Sequence, residues 1–452
     1  MAKNATREMT SGSPVKLILS FAVPLLLGML FQQFYSMVDT IIVGKSLGVD
    51  QLAGVGSTGA INFMIIGFCN GVCSGFAIPI AQSFGAKDYK RLRKFVANAA
   101  WLSIAFAAVM TVVVCVLCRQ ILSWMDTPEN IFEYAYSYIF IIFLGIPATY
   151  LYNLLSGIIR SLGDSRTPVI FLVISATLNI LFDLLAILVL HMGVAGAALA
   201  TLGSRVFSAI VVLWLLRSPK NEIAVKDYLT IRPDGTQIGM ILKIGIPSGV
   251  ENSMFQFGKL AIQSTVSTMG TVAIAAQAMT NILENLNGVA AIGIGIGLMT
   301  VVGECMGAGR KDEAVYYVKK LSVIAEVIII ICCGAIFLLT KPITTLGGME
   351  PESASLCFHM ITWITIVKPI VWTAAFIPAY GLRAAGDVKF SMIISCLTMW
   401  LCRVSLCIFL SRHFGMGPMA VWIGMFSDWT LRGIFFGIRF HSRKWLEKKV
   451  IQ

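Results

Sequence analysis

The sequence has little charge for its length. Asp, Glu, Lys and Arg together make up 13% of its 452 residues, whereas 57% are hydrophobic. A soluble protein needs a surface much richer in charged side chains, so this composition excludes an ordinary soluble domain. The chain is therefore expected to be a membrane protein whose surface is covered mostly by lipid.

Long polar segments are equally scarce. Apolar runs that could cross the hydrocarbon core, which takes about 20 residues as a helix, follow one another along the chain. We predict an all-α membrane protein with twelve transmembrane helices. The predicted spans, numbered one to twelve in this order, are 16–43, 53–83, 95–118, 133–157, 168–190, 195–216, 240–268, 272–302, 321–340, 354–381, 391–411 and 417–438.

Motifs for chemistry are also missing. No glycine-rich phosphate loop of the GxxxxGK[ST] type is present, so ATP is not expected to be the energy source. Most of the 11 cysteines lie in apolar runs, and the one CxxC pair, Cys115 and Cys118, has no second pair for a metal or redox site. Neither an enzyme activity nor a cofactor is expected.

Basic residues are concentrated in alternate connections between the spans. Clusters follow spans two, four, six, eight, ten and twelve, whereas the other connections hold only Lys45, Arg119, Lys341 and Arg412. By the positive-inside rule, both termini are expected in the cytoplasm of a multi-pass protein of the plasma membrane (the inner membrane of a cell with two). The net charge of +12 then reflects orientation and attraction to anionic lipids, and no nucleic-acid partner is expected.

Landmarks in the first half recur 222 or 223 residues later. A constant separation over several landmarks indicates an internal duplication. The pairs are Pro24 and Pro247, Gly48 and Gly270, Gly85 and Gly307, Arg160 and Arg383, and Gly193 and Gly415.

The duplication predicts two six-helix bundles related by a pseudo-two-fold axis along the membrane normal, because six spans return the chain to the same side. The predicted domains are an amino-terminal lobe, 1–217, a cytoplasmic linker, 218–237, and a carboxy-terminal lobe, 238–452. Such lobes can work by alternating access to a cleft between them. The repeated RxxGD sequences predict tight turns in which Arg160 or Arg383 pairs with the Asp of its own turn.

Charged residues inside apolar spans are functional candidates, because each costs about 2.5–3.5 kcal/mol at the membrane centre. In the first half these are Asp39 and Asp183, and Asn179 lies one helical turn before Asp183. Asn153 and Thr201 add neutral oxygens. This oxygen-rich set suits Na⁺, and two neighbouring carboxyl groups also suit H⁺; the alternative is a polar network that only joins helices.

The second half is polar in a different way. The positions equivalent to Asp39 and Asp183 are Ile262 and about Ser405, so the cation site is not expected to be duplicated. Glu251, Gln277 and Glu284 are candidates for substrate binding or coupling. The alternative for Glu251 is an ion pair, for which Lys368 or Arg403 is the expected partner.

Prolines and aromatic residues supply two further candidates. Pro24 and Pro247 are symmetry-related prolines inside spans, where each removes a helix hydrogen bond, and we predict them as hinges. Tyr35 and Phe255 could line a cavity for flat lipophilic cations, although most aromatic side chains in lipid only pack.

Together these segments resemble the multidrug and toxic compound extrusion (MATE) transporters, within the superfamily that also contains oligosaccharidyl-lipid and polysaccharide flippases. The resemblance covers nearly the whole chain. It rests on VDTIIVG, QSFGAKD, RSLGDSRTP, LNILFD, GVAGAALAT and GIPSG, the last at the start of span seven.

The resemblance implies a secondary antiporter that exports organic, cationic drug-like compounds in exchange for H⁺ or Na⁺. The chain is expected to work as a monomer. It also implies that Asp39, Asn179, Asp183 and Thr201 form the cation or proton site. Some family members carry an acid in span ten, where this chain has Lys368 instead. The alternative function is a flippase for a lipid-linked precursor or polysaccharide. An uptake carrier fits the repeated loops poorly, and nothing in the sequence suggests the symmetric pore of a channel.

Overall fold

The computed structural model describes Met9 and residues 12–217, 231–448 and 450–451, and its regular elements are all helical. In the first half the helices are α1 Pro14–Leu47, α2 Val49–Ser57, α3 Gly59–Gly85, α4 Tyr89–Val116, α5 Cys118–Trp124, α6 Glu129–Leu144, α7 Ile146–Ser161, α8 Arg166–Asp183 and α9 Gly193–Arg217. In the second half they are α10 Gly235–Val266, α11 Thr271–Gly307, α12 Lys311–Leu346, α13 Pro351–Ala384, α14 Val388–Leu397, α15 Ser405–Phe414 and α16 Met419–His441.

The helices account for the predicted number of spans. Within the described residues, nine are long and apolar enough to cross a membrane, and α6 with α7, bent by 46°, form a tenth. Helices α10 and α16 complete the set of twelve. They are less apolar because both carry charged residues, but the 23 residues of α16 still extend about 34 Å at 1.5 Å per residue.

The chain divides into two compact units, and the divisions fall inside helices rather than in a linker. One unit contains Leu27–Gly249, and the other contains Met9–Leu26 with Val250–Gln452. The two halves of α1 therefore belong to different units, and so do the two halves of α10. The division by lobes and linker stays a prediction, because residues 218–230 of that linker lie outside the described residues.

Small residues allow the divided helices to pack closely. In the first unit, a Cβ atom on Gly75 of α3 would lie 2.6 Å from Cα of Gly245 in α10. In the second unit, a Cβ atom on Gly293 of α11 would lie 3.4 Å from the carbonyl oxygen of Ala22 in α1, and one on Gly297 would lie 3.2 Å from the ring of Phe21. Backbones that approach this closely gain extensive van der Waals contact, which is the main attraction between helices in lipid.

The two RxxGD sequences form tight turns, as predicted, with a positive φ of 81° at Gly163 and 98° at Gly386. The predicted pairing inside each turn is wrong. Asp164 instead accepts hydrogen bonds from the backbone N–H groups at the start of α8, and Asp387 pairs with Arg439 at 2.6 Å. Capping a helix start is a common role for Asp, because the first N–H groups of a helix have no intrahelical partner.

Candidate functional site

Two helices of the first unit each contribute a pair of polar side chains one turn apart. Tyr35 and Asp39 lie on α1, and Asn179 and Asp183 lie on α8. Residues four apart emerge from the same face of a helix, so each pair can reach the same neighbour. Asn179 and Asp183 are almost completely buried, whereas Tyr35 and Asp39 are partly exposed.

Hydrogen bonds join the candidates on three helices. The hydroxyl group of Tyr35 donates to Oδ1 of Asn179, and Nδ2 of Asn179 donates to Oγ1 of Thr201 on α9 at 3.2 Å. The Thr201 hydroxyl in turn donates to the carbonyl oxygen of Ala197 at 3.2 Å. This chain of bonds fixes the orientation of the Asn179 amide beside Asp183.

Asp183 is the central group of the site. Its side chain is 0% exposed, and neither of its carboxyl oxygens accepts a hydrogen bond from a described residue. The carboxyl group of Asp39 lies close enough to hydrogen-bond to it when one of the two carries a proton. A buried carboxylate without a donor is rare in proteins, which makes these oxygens candidates for holding a proton or a cation.

Two members of the site were missed from the sequence. Arg205 lies one turn after Thr201 on α9 and donates to Oγ1 of Thr149 at 2.8 Å. Tyr138 on α6 lies within electrostatic range of Asp39, Asp183 and Arg205. The signal for Arg205 was its charge inside an apolar span, whereas nothing in the sequence distinguishes Tyr138 from other aromatic residues.

The helix that carries Asp183 changes its winding directly after this residue. Leu184–Val189 form a π-helical segment, in which the ordinary backbone hydrogen bonds are shifted by one residue. Segments of this kind are frequent at functional sites because they widen the helix and free carbonyl groups. The position of Asp183 at the start of the segment is consistent with a site that binds an ion.

Asn153, which was predicted to add an oxygen to this site, has a different partner. Its Nδ2 group donates to Oδ1 of Asn70 on α3. This contact joins α3 to α7. The structure therefore brings together four of the five predicted cation ligands, Asp39, Asn179, Asp183 and Thr201, and gives the fifth another hydrogen bond.

In the second unit, Glu251 forms an ion pair, but the prediction of its partner from the sequence is wrong. The partner is Arg383 of the second RxxGD turn rather than Lys368 or Arg403. The hydroxyl group of Ser391 also donates to Oε2 of Glu251 at 3.4 Å. Glu251 is thus neutralised by a neighbouring cation.

Lys368 has its own acidic partner. Its ammonium group is completely buried and lies 2.6 Å from Oε1 of Glu284 on α11, and it also donates to Oδ1 of Asn287. The rings of Trp372 and Trp429 lie 5.4 and 5.9 Å from the same nitrogen. The positive charge is therefore well compensated.

The remaining second-half candidates lie in packed surroundings. Gln277 accepts a hydrogen bond from Nε1 of Trp422 at 3.0 Å and donates to Asn281 at 3.2 Å. Phe255 packs beside a buried cluster that contains Ile262, which occupies the position equivalent to Asp39. A second carboxylate pair is therefore not formed at the equivalent place.

The first-unit site presents the ligand types that a small cation uses. Carboxyl, amide and hydroxyl oxygens are the ligands that hard cations such as Na⁺ prefer. Asp39 and Asp183 supply the charge, and Asn179 and Thr201 supply neutral oxygens from two helices. The same carboxyl pair can hold a single proton instead.

Comparisons with known proteins agree with this architecture. A family model described as MatE matches twice, at residues 24–185 and 247–409, with starts separated by the interval of the internal repeat. The "Probable multidrug resistance protein YoeA" of Bacillus subtilis is 29% identical over 417 residues, which cover 89% of this chain and 88% of the relative.

A second relative, the "Probable multidrug resistance protein YpnP" of the same organism, is 26% identical and covers 92% of this chain and 93% of its own length. Among solved structures, an outward-facing multidrug resistance MATE family transporter of the MOP superfamily superimposes with a TM-score of 0.89, at 21% identity. The superposition covers 99% of each chain. These likenesses bear out the predicted twelve-helix fold.

Proposed function

Because the chain belongs to the MATE family of membrane transporters, we propose that it is a secondary antiporter that exports drug-like organic compounds in exchange for H⁺ or Na⁺. The observation that carries the proposal is the buried carboxyl group of Asp183, which receives no hydrogen bond from the described part of the chain and lies beside Asp39. The relatives named for multidrug resistance support the substrate class.

The coupling ion binds at the carboxyl pair. A proton would bridge Asp39 and Asp183, whereas Na⁺ would also use the oxygens of Asn179 and Thr201. In either case the bound cation lowers the free energy of the conformation in which these ligands are together. A substrate that competes with the cation then shifts the balance of conformations in the opposite direction, and this linkage produces exchange.

Organic cations are the substrates that we propose for the site around Asp39 and Asp183. Asp39 and Asp183 carry two negative charges when ionised, against one positive charge on Arg205, so the site attracts positively charged groups. The ring of Tyr35 offers an aromatic face beside these carboxyl groups. A cation in this place would compete directly with the coupling ion.

The hinges are Pro24 and Pro247. The divisions between the compact units fall after Leu26 and after Gly249, two residues beyond each proline. A proline inside a helix removes one backbone hydrogen bond and lowers the resistance to bending there. Bending at both prolines would let the two units move while α1 and α10 stay continuous.

Transport by one chain is proposed, in the plasma membrane and with both termini in the cytoplasm. Both halves of the duplicated fold lie in a single chain, so one monomer holds the two lobes that alternating access requires. Accessibility of single cysteines, introduced at Lys45 and Lys87 in a cysteine-free variant, tests the orientation from outside intact cells. Labelling at position 45 and protection at position 87 are expected, and the reverse would refute it.

Efflux of ethidium from proteoliposomes tests the function. Na⁺ and H⁺ gradients are imposed separately on the wild type, on Asp39→Asn and on a control, Asp50→Asn, in which an exposed carboxylate of α2 is replaced. We expect one of the two gradients to drive efflux in the wild type and in Asp50→Asn. We expect Asp39→Asn to lose this efflux. Absence of efflux under both gradients would refute the proposal, and so would full activity of Asp39→Asn.

A further inference from the structure

Two cationic side chains in the second unit share one aromatic ring. The ammonium group of Lys259 lies 4.8 Å from the centre of the Phe255 ring, and the guanidinium carbon of Arg403 lies 5.4 Å from it. Lys259 and Phe255 lie one turn apart on α10. Arg403 belongs to a π-helical segment, Thr398–Val404, between α14 and α15.

The nearby acids are already paired with other cations. Glu284 lies 2.6 Å from Lys368, and Asp428 accepts hydrogen bonds through both oxygens from Arg432, at 2.9 and 3.3 Å. Arg403 is only a second and more distant neighbour of Asp428, with 3.5 Å between Nε and the carboxylate.

The positive charge of Lys259 is compensated even less than that of Arg403. Among the described residues no carboxylate lies within salt-bridge distance of its ammonium group, and Glu284 acts on it only at longer range. Its side chain is exposed, whereas Arg403 is 3% exposed. The two cations repel each other, and together they leave the second unit with a local surplus of positive charge.

Arg403 also has an unused donor. Its Nε–H group is buried and makes no hydrogen bond with a described residue. Its NH1 group reaches only the sulfur of Met399, at 3.6 Å. A buried guanidinium group normally fills its donors, because each unpaired one loses the hydrogen bond it would make with water.

We propose that Lys259 and Arg403 bind the anionic group of a transported compound, such as a carboxylate. Lys259 and Arg403 have only carboxylates that already pair more closely with other cations, and such a surplus of positive charge inside a membrane span is unfavourable unless a ligand provides further negative charge. A planar carboxylate can accept from the fork of a guanidinium group and from an ammonium group at once. The ring of Phe255 offers an apolar surface to the organic part of the same compound.

This inference rests on the proposed export function and narrows its substrates. The acidic site of the first unit favours positive groups, and the basic site of the second favours negative ones. Compounds that carry a carboxylate, including zwitterions, are therefore expected to bind more tightly than the same compounds with the carboxylate masked.

A pair of dyes separates these classes. Rhodamine B carries a free carboxylate, and its ethyl ester carries the same ring system without that charge. Fluorescence polarisation would measure the affinity of both dyes for the purified full-length protein in detergent. Lys259→Gln is expected to weaken binding of the acid about tenfold, the loss of one charge-assisted hydrogen bond, and to leave the ester unchanged.

Lys341→Gln is the matched control, because Lys341 lies 4.8 Å from the ring of Phe358, the same separation as between Lys259 and Phe255. It should leave the affinity for both dyes unchanged. Arg403→Lys, which keeps the charge but removes the planar fork, should weaken binding of the acid less than Arg403→Gln does. Equal affinity for acid and ester in the wild type, or equal losses in all variants, would overturn the inference.

The anion could also belong to a lipid-linked phosphate, which has the same charge. Displacement of bound rhodamine B by benzoate and by farnesyl pyrophosphate separates the two sources. Stronger displacement by benzoate supports a carboxylate substrate, whereas stronger displacement by farnesyl pyrophosphate overturns it in favour of a phospholipid-like one. If ethidium is not exported but the protein still binds the acid more tightly than the ester, the export function is refuted and the anion site is not.

Discussion

The carboxyl group of Asp183 lies beside that of Asp39, and no donor from the described residues satisfies it. Asp183 is buried in α8, whereas Asp39 is partly exposed on α1. The pair therefore combines one buried and one partly exposed carboxyl group. This arrangement is the physical basis of the proposed coupling.

Replacement of Asp183 by asparagine separates coupling from folding. Asp183→Asn keeps the shape and removes the charge, so gradient-driven efflux is expected to fall at least about tenfold, the loss of one charge-assisted contact. The free energy of unfolding is expected to change little or to rise, because an unpaired buried carboxyl group is removed. Efflux assays and thermal unfolding on the same preparation check both results; unchanged efflux would contradict the prediction.

The ion pair between Glu251 and Arg383 is expected to stabilise the second unit. Its side chains are only 10% and 24% exposed, so Glu251→Gln leaves a poorly solvated cation and should cost about 1–3 kcal/mol. The double variant with Arg383→Gln should recover part of that loss. Thermal unfolding in detergent measures the cycle.

The exposed pair between Arg119 and Glu133 provides the control for that cycle. Its side chains are 58% and 69% exposed, and the nitrogen and oxygen lie 3.0 Å apart. Glu133→Gln should leave the midpoint of thermal unfolding almost unchanged, because water screens the pair. Equal effects at the two pairs would mean that the burial of Glu251 has no energetic consequence.

Close packing of α3 on α10 should depend on glycine. In Gly75→Ala the new methyl group would lie 2.6 Å from Cα of Gly245, and this backbone cannot rotate away as a side chain can. A loss of about 1–3 kcal/mol in the free energy of unfolding is expected from the overpacking. Gly56→Ala, where nothing lies within 4 Å of the added atom, should be neutral or stabilising.

The hinge prolines should affect turnover rather than binding. Pro24→Ala and Pro247→Ala each allow a continuous helix, which stiffens the bend and is expected to slow efflux about tenfold. The affinity for ethidium should stay the same because neither proline lies among the site ligands. Pro79→Ala in α3 serves as the comparison, since that proline lies away from both unit divisions. Equal slowing by all three would argue against specific hinges.

Helix positions and helix faces were predictable from the sequence because lipid imposes simple rules on length and polarity. The spacing of Asn179 and Asp183 placed both on one face, and the hydrogen bond from Asn179 to Thr201 joins α8 to α9. Such contacts are predictable because the few polar side chains inside the membrane are unfavourable there unless they hydrogen-bond to one another.

Partners between distant helices were less predictable. Glu251 pairs with Arg383, 132 residues away, although the sequence offered Lys368 and Arg403 as equally reasonable partners. The charge of Arg205 inside an apolar span marked it as a residue that needs a partner, but its hydrogen-bond partner, Thr149, lies 56 residues away. Charge identifies which residues need a partner, but the choice depends on helix packing that no local pattern encodes.

The most direct measurement is the affinity of the purified protein for ethidium, followed by fluorescence over a series of pH values and Na⁺ concentrations. Competition at the carboxyl pair predicts that affinity falls as one of these ions is raised, and that Asp183→Asn loses this dependence. Affinity that is independent of both ions in the wild type, or the same dependence in Asp183→Asn, would contradict coupling at Asp39 and Asp183.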